Sequence, residues 1–267
     1  MTVWTSKWLG AGRRYLVDVQ ERLGHVNKSA IFIVGNQKSG TSAIAGLLAR
    51  YSGLRATIDI IPEIRRQIIP AVAAGDASFG KVISSYRRSF SRDIVKHPNF
   101  VLVMDELIAS FPKGQFAFVV RDPRDNIRSI LDRLDLPGNA SELTPSEIRA
   151  LPLAWRRVVH GEKLASNYVE SLCQRWNATI DSYQRHKDRV VLVRYEDFVK
   201  DKVGQIAQLA GVLGIDQQFT IHQFVDKQFQ PAGAHRLVPL SEFFGPANLK
   251  TIEVLCGSRA LSLGYEV

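Results

Sequence analysis

The chain has 267 residues, of which 45% are hydrophobic and 23% charged, with 19 glycines and 11 prolines. That length is enough for one large domain with a full core, and the modest Gly and Pro content excludes collagen-like and low-complexity classes. Lys and Arg number 35 against 26 Asp and Glu, a net charge of +9. Such a surplus draws anions without choosing among nucleic acid, anionic lipid and a phosphorylated or sulfated small molecule. Two cysteines, Cys173 and Cys256, are too few for a disulfide scaffold or a Cys-rich zinc module, and they are expected to be buried free thiols. No apolar run approaches the roughly 18–20 residues of a membrane span. The opening segment has no uninterrupted apolar stretch of the leader type, so a cytoplasmic setting is the expectation.

Taken in chain order, residues 12–23 place Leu16, Val19 and Leu23 on one helical stripe. This helix either packs on the core or, with Trp4, Trp8, Arg13 and Arg14 beside it, lies on a membrane surface. Residues 1–27 are read as an extension of a single domain spanning 1–267. Ala30 to Val34 is a continuous apolar run closed by Gly35, the mark of a strand covered on both faces. A helix is predicted from Ser42 to Tyr51, with Ile44, Leu47, Leu48 and Tyr51 in phase. Phe116 to Val120 is a second buried strand, followed by Arg121-Asp122-Pro123 and a helix through Leu134. Asp122 suits the N-cap and Pro123 the first helical position. Residues 135–150 read as a surface loop. Val190 to Val193 is a third strand, and a helix carrying Ile206, Leu209, Ala210 and Leu213 follows. Residues 226–247 read as a long loop before a last helix at 247–263. Strands alternating with helices imply an α/β fold with a central parallel sheet.

The chemistry concentrates in Gly35-Asn36-Gln37-Lys38-Ser39-Gly40-Thr41-Ser42. A strand that turns through glycines into a helix start presents backbone N–H groups and the positive end of the helix to an anion. Lys38 adds a full charge, and Thr41 and Ser42 add hydroxyls. The spacing of the two glycines is that of a nucleotide P-loop, but Thr41 stands where that loop needs lysine. A magnesium-nucleotide kinase or NTPase stays open as the alternative, with the carboxylates after Phe100-Val101-Leu102-Val103-Met104, Asp105 and Glu106, as its metal ligands.

Lys38 to Ser42, K-S-G-T-S, resembles the 5′-phosphosulfate loop of sulfotransferases that use 3′-phosphoadenosine 5′-phosphosulfate (PAPS). In that family an Arg at the end of a later strand and a Ser eight residues on hold the 3′-phosphate, and Arg121 and Ser129 have that spacing. The planar guanidinium fork matches phosphate oxygens. Lys96-His97-Pro98, 25 residues before Arg121, resembles the K-x-P of the carbohydrate and tyrosylprotein branches, whose lysine faces the sulfuryl group. Arg194-Tyr195-Glu196-Asp197-Phe198 resembles the family's R-Y-E-D-L segment and is read as structural, its carboxylates capping a helix. Arg236, in the long C-terminal loop, stands in for an R-K-G triplet that this chain lacks.

The resemblance implies a three-layer P-loop-like fold and transfer of a sulfuryl group from PAPS to a hydroxyl or amine, with no metal required. Lys38 would stabilise the leaving group, and Ser39, Gly40, Thr41 and Ser42 would hold the 5′-phosphate. Arg121, Ser129 and Arg236 would hold the 3′-phosphate end. Lys96 would act on the sulfuryl group. The general base is expected to be Asp59, eighteen residues beyond Thr41, with Glu63 and His97 as alternatives. A carbohydrate or glycolipid acceptor is expected, and no nucleic-acid partner, since no nucleic-acid motif accompanies the basic surplus.

Overall fold

The computed structural model describes residues 16–140, 142–160, 167–226 and 233–266. Strand β1 (Ile31–Gly35) is buried along its whole length. Alternation sends Phe32 and Val34 into one apolar cluster and Ile31 and Ile33 into another on the opposite face, so both faces of the sheet are covered, as parallel sheets require. A helix at residues 16–22, α1, precedes it. The elements after it are α2 (Thr41–Ser52), β2 (Ala56–Ile58), α3 (Ile61–Arg66), α4 (Ile68–Ala73), α5 (Phe79–Ser85), β3 (Ile94–Lys96) and α6 (Met104–Ser110). Then come β4 (Gln115–Val120), α7 (Pro123–Leu134), α8 (Pro145–Ala150), α9 (Leu153–His160), α10 (Tyr168–His186) and β5 (Val191–Arg194). The chain closes with α11 (Tyr195–Lys200), α12 (Lys202–Val212) and α13 (Leu240–Ser262).

The five strands are parallel in the order β2-β3-β1-β4-β5. Helices α2 and α12 cover the Ile31/Ile33 face through Ile44, Leu47, Leu48, Ile206 and Leu209. The other face carries α7, α10 and α13 over a knot of aromatic rings. This is the three-layer α/β architecture expected from the strand–helix alternation. Because every strand runs the same way, every β-to-α connection emerges at one edge, where anion and nucleotide sites of such sheets form.

Three expectations need correction. The stripe of α1 does not pack on the core: Leu16 is 61% and Leu23 63% exposed, and the helix is tethered by polar contacts, Asp18 with Arg65 and Arg66 of α3 and Glu21 with Ser89. Residues before 16, with Trp4, Trp8, Arg13 and Arg14, lie outside the described residues. The 135–150 segment is not all loop. Thr144 and Glu147 form a capping box that starts α8, the signal of [ST]-x-x-E that sequence reading passed over. The segment read as loop up to 247 is already helical from Leu240, but Gly245 (φ 65, ψ 169) leaves the helical region and separates that turn from the last helix, which runs on from Pro246 to Ser262, close to the 247–263 expected. Cys173 and Cys256 are both buried and free.

Phe32 sits at the centre of the aromatic knot, its ring centroid 4.7 Å from that of Phe111, 5.3 Å from Phe116 and 5.9 Å from Phe100. Phe32→Ala is expected to lower unfolding free energy by about 3–5 kcal/mol, read from denaturant titration. A loss under about 1 kcal/mol would show that the knot does not set the stability.

Candidate active site

The loop after β1 turns through Lys38 (φ 65) and Gly40 (φ 88). Gly40 has no substitute, since a Cβ there would lie 2.3 Å from the Tyr195 ring as well as demanding a left-handed backbone. Thr41 opens α2 with no side-chain cap at its N-terminus. The first N–H groups of a twelve-residue helix therefore face the loop unpaired by a capping side chain.

From the next strand across, Arg121 leaves the end of β4. Its Nη1 donates to the Lys38 carbonyl at 2.9 Å, and its guanidinium lies 4.6 Å over the Tyr195 ring. It makes no ion pair among the described residues, because its two acidic neighbours are taken: Asp122 by Arg124 and Asp125 by Arg128. Its Nε is buried without a hydrogen-bond partner. Asp122 also caps α7 as the sequence predicts, accepting from Arg124 N at 2.8 Å.

One cavity of about 450 Å³ runs along this edge of the sheet, in the size range of small-molecule and cofactor sites. Lys38, Gly40, Thr41, Ser42, Asp59, Lys96, Arg121, Ser129 and Arg236 all line it, so the structure brings together nine of the ten residues expected to act. The tenth, Ser39, is 1% exposed and does not line the cavity; its hydroxyl accepts from Asn126 Nδ2 at 3.0 Å. Asn126 also donates to the Gln37 carbonyl at 2.8 Å and accepts from Asn36 at 2.9 Å. The loop's shape is thus held by side chains from α7.

Sheet order divides the cavity. Arg121, Ser129 and Arg133 come from β4 and α7 on one side of the loop, and Tyr195, Phe198 and Lys202 from beyond β5 continue that side. Asp59 follows β2 and Lys96 ends β3 on the other side. Their side chains pair at 2.8 Å, with Lys96 almost fully buried. Among the described residues seven lysine and arginine side chains and four aspartates line the cavity, and the surplus falls on the Arg121 side. Burial lowers the Lys38 pKa below the ordinary lysine value, and the Arg121 charge lowers it further.

The other base candidates are placed differently. Glu63 is fully buried, does not line the cavity, and accepts from Tyr86 OH at 2.6 Å and Ile69 N at 2.7 Å. His97 lines the cavity, but its Nδ1 already accepts from Asn99 N at 3.3 Å, so the neutral ring carries its proton on Nε2. Burial pushes its pKa down to about 3. Glu196 does not cap its own helix. It accepts from Asp122 N at 3.0 Å and from Tyr265 OH at 2.8 Å, tying the ends of β4, β5 and the C-terminal segment together. Asp105 and Glu106 are not at a strand end: they start α6 after a 3₁₀ turn, Asp105 pairs with His186, and neither lines the cavity. The magnesium site of the kinase alternative is not assembled there.

Sequence reading missed Tyr195 as a cavity wall, Asn126 as the loop's brace and Asp132, whose carboxylate accepts from His235 at 2.7 Å. Of these, only Tyr195 carried a signal, its adjacency to a strand end.

A parallel sheet with a cationic cavity at its carboxyl edge makes this an α/β protein suited to holding an anionic nucleotide. A family model described as "Sulfotransferase family" matches residues 71–219, 149 of the 267 residues, a stretch that includes Lys96, Arg121 and Ser129. The chain belongs to the sulfotransferase family, whose members are PAPS-dependent enzymes. No curated protein sequence matches the chain. Among solved structures it is similar to sulfotransferase STF9 from Mycobacterium avium (13% identity, TM-score 0.55, 96% of this chain and 82% of that one). It is also similar to the sulfotransferase domain from the curacin biosynthetic pathway (16%, 0.51, 91% and 99%). Mouse sulfotransferase SULT7A1, solved complexed with PAP, is similar too (14%, 0.50, 92% and 88%). At these identities the likeness is one of fold.

The raised pKa of Glu63, caused first by burial, generates a stability prediction. A carboxyl whose folded pKa lies above its unfolded value contributes stability at low pH and loses it as pH rises through the folded value. The melting temperature of the wild type relative to Glu63→Gln should therefore rise as pH falls from 7 toward the ordinary glutamate range. A difference that shrinks over that interval would contradict the assignment of Glu63 as a buried structural acid.

Proposed function

We propose that the chain, as one domain over 1–267 with 1–27 as an extension, transfers the sulfuryl group of PAPS to an acceptor hydroxyl or amine. The observation that carries this reading is the shared cavity. Lys38 and Arg121, distant in sequence, open into one space, and Arg121 has no carboxylate partner among the described residues. A cavity whose cations outnumber its carboxylates among the described residues suits a nucleotide with phosphate at both ends. The residues present fit PAPS. Lys38, Thr41, Ser42 and the amides about Gly40 would hold the 5′-phosphosulfate, and Arg121, Ser129 and Arg236 the 3′-phosphate.

The transfer is in line: the acceptor oxygen forms a bond to sulfur, the bond from sulfur to the bridging 5′-phosphate oxygen breaks, and adenosine 3′,5′-bisphosphate leaves. The work of the residues is positioning and charge stabilisation. Lys38 donates to the oxygen on which charge develops. Asp59 takes the acceptor's proton, with Lys96 holding its Oδ1 and facing the sulfuryl group. Glu63 is sealed off and His97 has no free ring lone pair.

A carbohydrate or glycolipid is the proposed acceptor. The K-x-P segment and the carboxylate base support it. So does Trp155, which lines the same cavity and offers an apolar ring to the C–H groups of such a body. The two buried, unbridged thiols support a cytoplasmic setting. Among the described residues no helix is long and apolar enough to cross a membrane. The exposed Leu16 and Val19 of α1, with Leu23 just after it, support peripheral contact of the extension with a membrane.

Calorimetry with adenosine 3′,5′-bisphosphate tests the donor site. Binding should be metal-independent and far tighter than ATP–magnesium, and Lys38→Ala and Arg121→Ala should each weaken it about 10- to 100-fold. Wild-type affinity should fall as pH rises toward the lowered Lys38 pKa, because the charged form binds the anion, whereas Lys38→Met should lose that slope. Equal binding by both alanine variants would refute the site. For the base, Asp59→Asn should cut turnover about 10²- to 10⁴-fold with bisphosphate affinity kept, while Glu63→Gln should leave turnover within about twofold of wild type. The reverse pattern would transfer the role to Glu63.

A further inference from the structure

Behind the Lys38 loop lies a network that the roles above do not use. Arg175 of α10 has no carboxylate partner among the described residues. Its Nε donates to Asn36 Oδ1 and to Gln37 Oε1, both at 3.0 Å, and its Nη2 donates to Gln37 Oε1 at 2.7 Å and to Asn99 Oδ1 at 3.3 Å. Gln37 Nε2 adds a second hydrogen bond to Asn99 Oδ1 at 2.9 Å. Every one of these acceptors is a neutral amide oxygen. Desolvation lowers the Arg175 pKa to about 10, so it remains a cation at neutral pH.

The consequence falls on Asn99. The two ends of an amide are told apart by their partners, and here the oxygen receives two donors. Nδ2 is the opposite end. It makes no hydrogen bond among the described residues, yet it is not among the sealed, unpartnered atoms. Asn99 lines the cavity next to Lys96 and His97, and its main chain is pinned by the bond to His97 Nδ1. This places two idle N–H donors at the β3 side of the loop. The sheet order puts that side opposite Arg121, where the transferring group of a donor anchored at β4 must lie. A cation pulling on the oxygen end also polarises the N–H bonds outward.

We infer that Asn99 Nδ2 is a further hydrogen-bond donor to the sulfuryl oxygens of PAPS, and that Arg175 is the positioning residue that holds the Asn99 amide in its donating orientation. The inference rests on the sulfotransferase reading of the cavity. No proton moves in this step. The amide meets charge on the equatorial oxygens while the acceptor and the leaving oxygen occupy the axis.

The test separates the sulfuryl contact from general damage by comparing two ligands that differ only in that group. Calorimetry is run with PAPS and with adenosine 3′,5′-bisphosphate on the full chain. Asn99→Ala should weaken PAPS about three- to tenfold and leave the bisphosphate within about twofold. Asn99→Asp, which keeps acceptors for Arg175 but presents no N–H, should weaken PAPS at least as much. Arg175→Lys retains the charge without the planar fork and should show the same selective loss, and joined to Asn99→Ala it should add nothing further. Equal weakening of both ligands, no change in Asn99→Ala, or additive loss in the double variant would overturn the inference while leaving the donor site standing. If Arg175→Lys melts below the assay temperature, the two Asn99 variants decide alone. Failure of the wild type to bind either ligand would overturn the donor site and this inference with it.

Discussion

The hydrogen bond from Arg121 Nη1 to the Lys38 carbonyl joins two segments 83 residues apart, and the site depends on it. Each segment alone is ordinary: a turn with a lysine, and an arginine at a strand end. The register between β1 and β4, with Gly35 opposite Val119, sets the two loops side by side. A Cβ on Gly35 would lie 2.5 Å from the Val119 carbonyl, so the strands approach as closely as they do only because that position is bare. Sheet pairing therefore acts before any ligand does, fixing the distance between the Lys38 loop and Arg121.

Charge is then distributed by pairing. On the Arg121 side, Asp122 and Asp125 turn to Arg124 and Arg128, and Arg121 is left to a carbonyl and an aromatic face. An arginine stacked on Tyr195 keeps its fork planar and oriented without losing its charge to a carboxylate. The same ring fills the space that forces Gly40 to be glycine. One tyrosine therefore shapes both the Gly40 turn and the setting of Arg121.

How much of this was legible depended on range. Strands β1, β4 and β5, helices α2 and α7 and the Asp122 cap follow from local apolar period and capping chemistry, and the structure places them within a residue or two of the reading. Lys38, Arg121 and Ser129 could be picked out because their spacing carries a chemical pattern, and the structure places all three along one cavity. The short strands β2 and β3, of three residues each, were not, since three residues show no period. Ser39 was misplaced for a related reason: its neighbours face the cavity, but an asparagine from α7 claims its hydroxyl, and that contact is 87 residues away. Glu63 and His97 stood in the sequence as alternatives to Asp59 for the base. Only three-dimensional pairing shows that Tyr86 and Ile69 occupy the first and a backbone N–H the second.

The two ends of the cavity differ in a way the chemistry requires. A donor that carries charge at both ends needs cations that are not already neutralised, and Arg121 has none of its charge cancelled within the described fold. An acceptor hydroxyl is neutral until its proton leaves, and a strong net field would favour water or stray anions there. At the end where the proposed acceptor would sit, Lys96 is matched among the described residues by Asp59, at 2.8 Å. The pair is close to neutral at rest, and transfer of a proton to Asp59 would release Lys96 toward the oxygens of the moving group at the moment when charge develops on them. In the proposed reaction, a preformed ion pair at this position costs little in the ground state and becomes useful along the reaction coordinate, which is the condition for a contact to accelerate a step rather than to bind a substrate.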